Sequence, residues 1–189
     1  MTKNDLNQND KFVQKLIEII EPNFIFSNNP INRFKSNDNN ESSDKADQLS
    51  KLKNQIFSIE NCNLKDNSNS LIMGDGNINS PIMFIGEAPG EIENSQGHSF
   101  QGETGTLLKK MLSAINIKIE KVYTTYSINF RPPQDRKPTA QEIKRYAVFL
   151  KKHISIINPK IVILMGSTAM EAVTGLKSKI SDERGKWKE

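Results

Sequence analysis

The chain has 189 residues, one cysteine, 35% hydrophobic residues and a formal net charge of +4. That is the length of one domain with an appendage, and it excludes an intrachain disulfide framework and any all-cysteine metal site. No apolar run approaches the ~20 residues that span a bilayer, and no apolar segment follows a basic start at the N-terminus. Neither a membrane span nor a signal peptide is therefore expected, and the default compartment is the cytoplasm.

Charge is unevenly placed. Residues 1–80 carry 9 Lys/Arg against 11 Asp/Glu, whereas residues 81–189 carry 17 against 11. The whole basic excess lies in the second half, where it permits a polyanionic partner.

In chain order, Phe12, Leu16, Ile19 and Ile20 recur at helical spacing before Pro22, which predicts a short amphipathic helix within an N-terminal segment, 1–26. Residues 27–47 are nearly devoid of apolar side chains. Such a stretch cannot bury enough surface to offset its ordering entropy, so it reads as a disordered linker ahead of a folded domain over 48–189. Leu49, Leu52 and Ile56 stripe a helix over 44–58. Leu71–Met73 is a short strand candidate, and Gly74-Asp75-Gly76-Asn77 is turn chemistry. The continuous apolar run Pro81–Ile85 predicts a strand buried on both faces.

Thr104–Ile115 predicts a helix with Leu107, Leu108, Met111, Leu112 and Ile115 inward, and Val122–Ile128 a second strand. Thr139 and Glu142 have capping-box spacing at the start of a helix that runs to about Ile157. Ile161–Met165 predicts a third buried strand, and Ser167–Val173 a further helix. Strands alternating with helices predict an α/β fold, three layers α/β/α around a short, mostly parallel sheet.

In such sheets ligands sit at the carboxyl ends of the strands, which singles out the loops Gly86–Gly102, Asn129–Pro138 and Gly166–Thr168. The stretch Gly86–Gly105 contains five glycines, so its backbone can approach a ligand closely. It lacks the lysine and spacing of a phosphate-binding P-loop. Glu87, Glu91 and Glu93 crowd it, and Phe100 stands alone in it, either as a stacking platform for a planar ligand or as an anchor to the core. His98 has no obvious partner and reads as a surface histidine. In the second loop, prolines stiffen a segment that projects Arg131, Arg136 and Lys137. That suits phosphate contacts, and it equally suits a rigid solvated connector.

Taken together, GDGNINSPIMFIGEAPGEIENSQGHSFQGETGTLLKKML, RPPQDRKPTAQEI and NPKIVILMGSTA resemble the type-4 uracil-DNA glycosylases of bacteria and archaea, in order and spacing from about Cys62 to Trp187. The resemblance implies that family's fold and its reaction, hydrolysis of the N-glycosidic bond of deoxyuridine with the base flipped into a pocket. The sugar develops positive charge and uracil leaves as an anion, so the site must offer negative character near the sugar, donors to the base and a placed water.

By position, the resemblance makes Gly86, Glu87, Ala88, Pro89 and Gly90 the water-side motif, with Glu87 placing water or sugar. Glu93 becomes a second acidic position near the pocket, and Phe100 the aromatic that stacks on uracil. Arg131, Arg136 and Lys137 fall in the loop facing DNA, single- or double-stranded.

Three departures accompany the match. The asparagine that reads uracil is replaced by Tyr126, unless local slippage lets Asn129 serve. The four cysteines that hold the family's [4Fe–4S] cluster match Ile59, Cys62, Phe130 and Tyr146, so the resemblance implies that no cluster is held and no cofactor is used. The family's last strand and His-Pro segment find no match before Glu189, and His153, in a helix pattern, is no substitute. The expectation is therefore a C-terminally truncated, divergent glycosylase whose excision of uracil is weak or lost. The alternatives are a non-catalytic remnant that binds DNA, and one half of a split enzyme completed by a separate chain.

Overall fold

The computed structural model describes residues 38–187. The helix expected within 1–26, and the linker before residue 38, lie outside the described residues. The elements are α1 (Asp38–Phe57), α2 (Asn63–Asp66), β1 (Asp75–Gly76), β2 (Ile82–Gly86), α3 (Glu91–Gln96), α4 (Glu103–Ala114), β3 (Tyr123–Tyr126), α5 (Ala140–Ile157), β4 (Ile161–Leu164), α6 (Ser167–Thr174) and α7 (Ile180–Glu183). Single 3-10 turns occupy Ile119–Lys121 and Pro133–Asp135.

The sheet has the order β1-β3-β2-β4. β2 runs parallel to both β3 and β4, and β1 closes the other edge antiparallel to β3. Because strand side chains alternate, the two faces collect different partners. On one face Met83, Ile85 and Tyr123 pack with Leu52 and Ile56 of α1, Tyr146 and Leu150 of α5, and Ala169 and Ala172 of α6. On the other, Phe84 and Tyr126 pack with Phe100 and with Leu108 and Leu112 of α4. This is the expected three-layer arrangement with a mostly parallel sheet.

Four local expectations are corrected. α1 begins at Asp38, so residues 38–43, ahead of the helix expected over 44–58, are helical where only linker was expected. Its Leu52 is buried in the core, and the Lys45 ammonium donates to the Ile157 carbonyl at 2.9 Å, tying the first half of the helix to the end of α5. The strand expected at Leu71–Met73 is displaced to Asp75–Gly76. Ile72 instead donates its N–H to the Asn129 carbonyl at 2.8 Å, beyond the end of β3.

Only Leu108 and Leu112 of the expected α4 stripe are buried, while Leu107, Met111 and Ile115 are exposed. A helix lying on one sheet face buries a single stripe, and the remaining apolar residues face away. β4 is a sheet edge and not buried on both sides. Val162 and Leu164 join the core under α5 and α6, but α4 packs on β2 and β3, so Ile161 and Ile163 are 36% and 38% exposed.

Candidate functional site

The continuous β2 run places Gly86 at the carboxyl end of the strand, directly opposite Tyr126 in the register. From there the chain turns through Glu87–Gly90 into α3, a short helix inside the segment expected to be loop. Glu93 organises the glycine-rich loop. It is buried, and its carboxylate accepts the backbone N–H groups of Gly90 at 3.1 Å, Gln101 at 3.0 Å and Gly102 at 2.9 Å. The start of α3 and the start of α4 are thus pinned to one side chain. Burying a carboxylate is tolerable only with such donors.

Asn94, also buried, does the same for the preceding segment. Its Oδ1 accepts from Ser68 Oγ at 3.1 Å and from the N–H of Asn69 at 2.9 Å and of Ser70 at 3.2 Å. Sequence reasoning missed Asn94, and neither residue's partners are visible in a side-chain pattern because most of them are backbone amides.

Phe100 is carried at the end of this loop with φ +52°, a left-handed conformation unusual for an aromatic residue. Gly105 makes it possible: a Cβ there would lie 1.8 Å from the Phe100 carbonyl oxygen. The Phe100 ring is buried and stacked on Tyr126, with centroids 4.8 Å apart and planes 16° apart. The Tyr126 hydroxyl accepts the Phe100 N–H at 3.0 Å.

The rings also crowd Gly86, where a Cβ would stand 2.8 Å from Tyr126 Cδ1 and 3.0 Å from Phe100 Cζ. Tyr126 therefore fills the space between the end of β2 and Phe100. Burial raises its phenol above the ordinary range, reinforced by the Glu93 carboxylate and opposed by the Phe100 N–H. One surface cleft of about 380 Å³ is lined by Ile92, Gln101 and Leu107 among others, and another of about 290 Å³ by Lys53, Asp75 and Tyr123 among others. Neither is lined by Phe100 or Tyr126.

Glu87, at the mouth of the same loop, accepts the Thr168 hydroxyl at 2.7 Å. Thr168 stands in the first turn of α6, so the first and third loops chosen from the sequence meet at the carboxyl end of β2, and the second reaches the first through Arg131 and Glu91. Ala88 packs against the main core, and Pro89 is buried. Asn129 is buried with its amide nitrogen donating to the Ile72 carbonyl at 2.8 Å, so its side chain is engaged in holding the 71–73 segment. His98 is exposed but partnered: its Nδ1 lies 2.8 Å from Asp75 Oδ1, and Asp75 also accepts the Ser99 N–H.

The cations of the Asn129–Pro138 loop are largely satisfied internally. Arg131 makes a bidentate pair with Asp135, both bonds 2.7 Å, and reaches Glu91 at 3.5 Å. Arg136 makes a bidentate pair with Glu142 at 2.9 and 2.7 Å. Glu142 also accepts the Thr139 N–H in the capping box that the spacing predicts. These partners hold Asp135 and Glu142 below the usual carboxylate range, in each case chiefly through the arginine hydrogen bond. Lys137 is exposed, and no ion pair to it is found among the described residues.

The four positions matched to cluster ligands do come together. Cys62 Sγ lies 3.2 Å from the Tyr146 hydroxyl, Phe130 meets Tyr146 edge-on at 6.4 Å, and Ile59 packs on the same core. One thiol, two aromatic rings and an aliphatic chain do not fit a four-iron cluster, which needs four thiolates. Burial and the Cys62 contact push the Tyr146 phenol above its ordinary range. His153 is buried in α5 away from the loops, 2.9 Å from the Tyr123 hydroxyl, and desolvation lowers its pKa to about 4.

Comparison with known proteins bears on these pieces together. Residues 73–189 match the model of the uracil DNA glycosylase superfamily. The type-4 uracil-DNA glycosylase of Thermotoga maritima is 38% identical over 125 residues, covering 66% of this chain and 65% of that protein. The type-4 enzyme of Sulfurisphaera tokodaii is 36% identical, covering 64% of this chain and 55% of that protein. That of Pyrobaculum aerophilum is 30% identical over 142 residues, covering 73% and 72%. The chain thus spans between half and three quarters of the length of these relatives.

Proposed function

The chain belongs to the type-4 family of the uracil DNA glycosylase superfamily, and from that premise we propose that it hydrolyses the N-glycosidic bond of uracil in DNA, in base excision repair, at a rate held low by Tyr126. The observation that carries this reading is the Phe100–Tyr126 stack at the carboxyl end of β2. A flipped base needs a flat face to lie on and an edge partner to read it. Phe100 is the flat face, and Tyr126 already lies on it. A phenol hydroxyl presents one donor and an acceptor at a single atom, so it does not reproduce the separate carbonyl and amino groups of an amide. Here the oxygen is moreover engaged by the Phe100 N–H.

The remaining parts suit the reaction. Glu87, oriented by Thr168, places negative charge beside the sugar and an acceptor for the attacking water. Gly86 and Gly90 let backbone approach the nucleotide, and Glu93 holds the loop that carries Phe100. We read Cys62, Phe130 and Tyr146 as packing that stands in place of a metal cluster, so that no cofactor enters the reaction. No helix among the described residues is long and apolar enough to cross a membrane, and a reaction on DNA accords with a cytoplasmic setting. Closure of the base place favours a second reading, a chain that binds DNA without excising from it.

The test is incubation with uracil-containing single-stranded and duplex oligonucleotides, followed by alkaline cleavage of abasic product. The expected result is slow product from uracil and none from cytosine or thymine. No product above an enzyme-free control, even after Tyr126→Asn, overturns the catalytic reading.

A further inference from the structure

Arg131 and Arg136, the cations that the loop would offer to DNA, are each closed by a bidentate carboxylate. Cations with no ion pair among the described residues lie next to it, on α5. This 18-residue helix carries Lys144, Arg145, Lys151 and Lys152 and a single acid, Glu142, which Arg136 already holds. All four cations are exposed. At 3.6 residues per turn, Lys144 and Lys151 fall on one line with the exposed Val148 between them, about 10.5 Å apart along the axis. Arg145 and Lys152 form the neighbouring line. Their partners, the carbonyls of Glu60 and Asn61 and the amide oxygen of Gln55, are neutral and leave both charges uncancelled. Lys137 stands three residues before α5. The helix leaves the loop at the carboxyl end of β3, so its first turns begin beside the candidate site.

We propose that this outer face of α5, with Lys144 and Lys151 as its principal contacts and Lys137 at its head, is a docking surface for the DNA phosphate backbone, blind to sequence. The choice of DNA as the polyanion rests on the function proposed above; the surface itself rests on the charge arrangement. A ridge of four exposed cations, on a helix whose single acid is already held by Arg136, suits a uniform anionic rail, since phosphate contacts position a protein without reading bases.

The experiment is fluorescence anisotropy of a uracil-free, mixed-sequence duplex titrated with the full chain across a series of salt concentrations. Each phosphate contact contributes roughly 0.9 to the slope of log affinity against log salt. The double variant K144A/K151A is expected to reduce that slope by about 1.8, while K144R/K151R retains it and K109A/K110A on α4 leaves it unchanged. Circular dichroism of each variant establishes that the fold is intact. Salt-dependent binding with an unaltered slope in K144A/K151A, or an equal loss in K109A/K110A, overturns the docking surface alone. Absence of salt-dependent binding by the wild-type chain overturns it together with the proposed function.

Discussion

Tyr126 lies flat on Phe100, and its hydroxyl accepts the Phe100 backbone N–H at 3.0 Å. One side chain thereby holds both the ring and the backbone of a residue kept at φ +52°. Left-handed backbone costs a non-glycine residue about 1–2 kcal/mol, so the contact secures a conformation that the loop would otherwise relax. Tyr126→Phe keeps the ring and removes the acceptor, leaving a buried N–H unpaired. The expected loss is about 1–3 kcal/mol in urea unfolding, with no gain in uracil excision because the ring stays in place.

Glu93 supplies the acceptor for three backbone donors at two helix starts. Glu93→Gln keeps an oxygen for two of them and turns an amino group toward the third. Glu93→Ala abandons all three. The expected losses are about 1 kcal/mol for Gln and about 3 kcal/mol for Ala, with new protease cleavage confined to residues 90–102 in the alanine variant. Equal stability of the two variants would count against the pinning role.

His153 gives the stability a pH dependence of definite sign. Its folded pKa is about 4, against 6.5 for an unperturbed histidine, because burial disfavours the cation. Between pH 6.5 and 4 the unfolded chain takes up a proton that the folded chain refuses, so stability falls as pH falls, by about 3 kcal/mol in all. Asp135 and Glu142, with depressed pKa values, add their losses only further down, below the ordinary carboxylate range. Chemical unfolding at pH 7 and pH 4.5 reads the first effect. His153→Gln, which retains a polar partner for Tyr123 and does not titrate, should flatten it.

The Cys62, Phe130 and Tyr146 cluster predicts a protein whose thermal midpoint is indifferent to iron chelators and whose solution is colourless. Cys62→Ala leaves the Tyr146 hydroxyl without its partner and should cost about 1–3 kcal/mol. Stoichiometric iron on metal analysis of the purified chain would contradict the assignment.

Much of this architecture is legible in the residues. The run Pro81–Ile85 announces a strand, which the sheet places between two parallel neighbours and covers on both faces, and Thr139 with Glu142 announces the start of α5. What escapes is set by neighbours distant in sequence. α4 has apolar residues on more than one side, and only docking against Phe84 decides that Leu108 and Leu112 are the inner ones. β4 looks like a buried strand, and its exposure follows from where α4 stops. Asn129 resembles a free reader of bases until Ile72, 57 residues earlier, takes its amide. His98 likewise acquires Asp75 from 23 residues away. At the site, Tyr126 stands out from the sequence as a misplaced residue, but only the structure gives it a contact: the face of Phe100.

The most direct test is the ratio of uracil excision rates, Tyr126→Asn over wild type, measured on one single-stranded oligonucleotide under single-turnover conditions. If Tyr126 occupies the base place, removing its ring and restoring an amide should raise the rate roughly tenfold or more, the worth of one recovered hydrogen bond of about 1.4 kcal/mol. Robust turnover by the wild-type chain, with no increase in the variant, would contradict it.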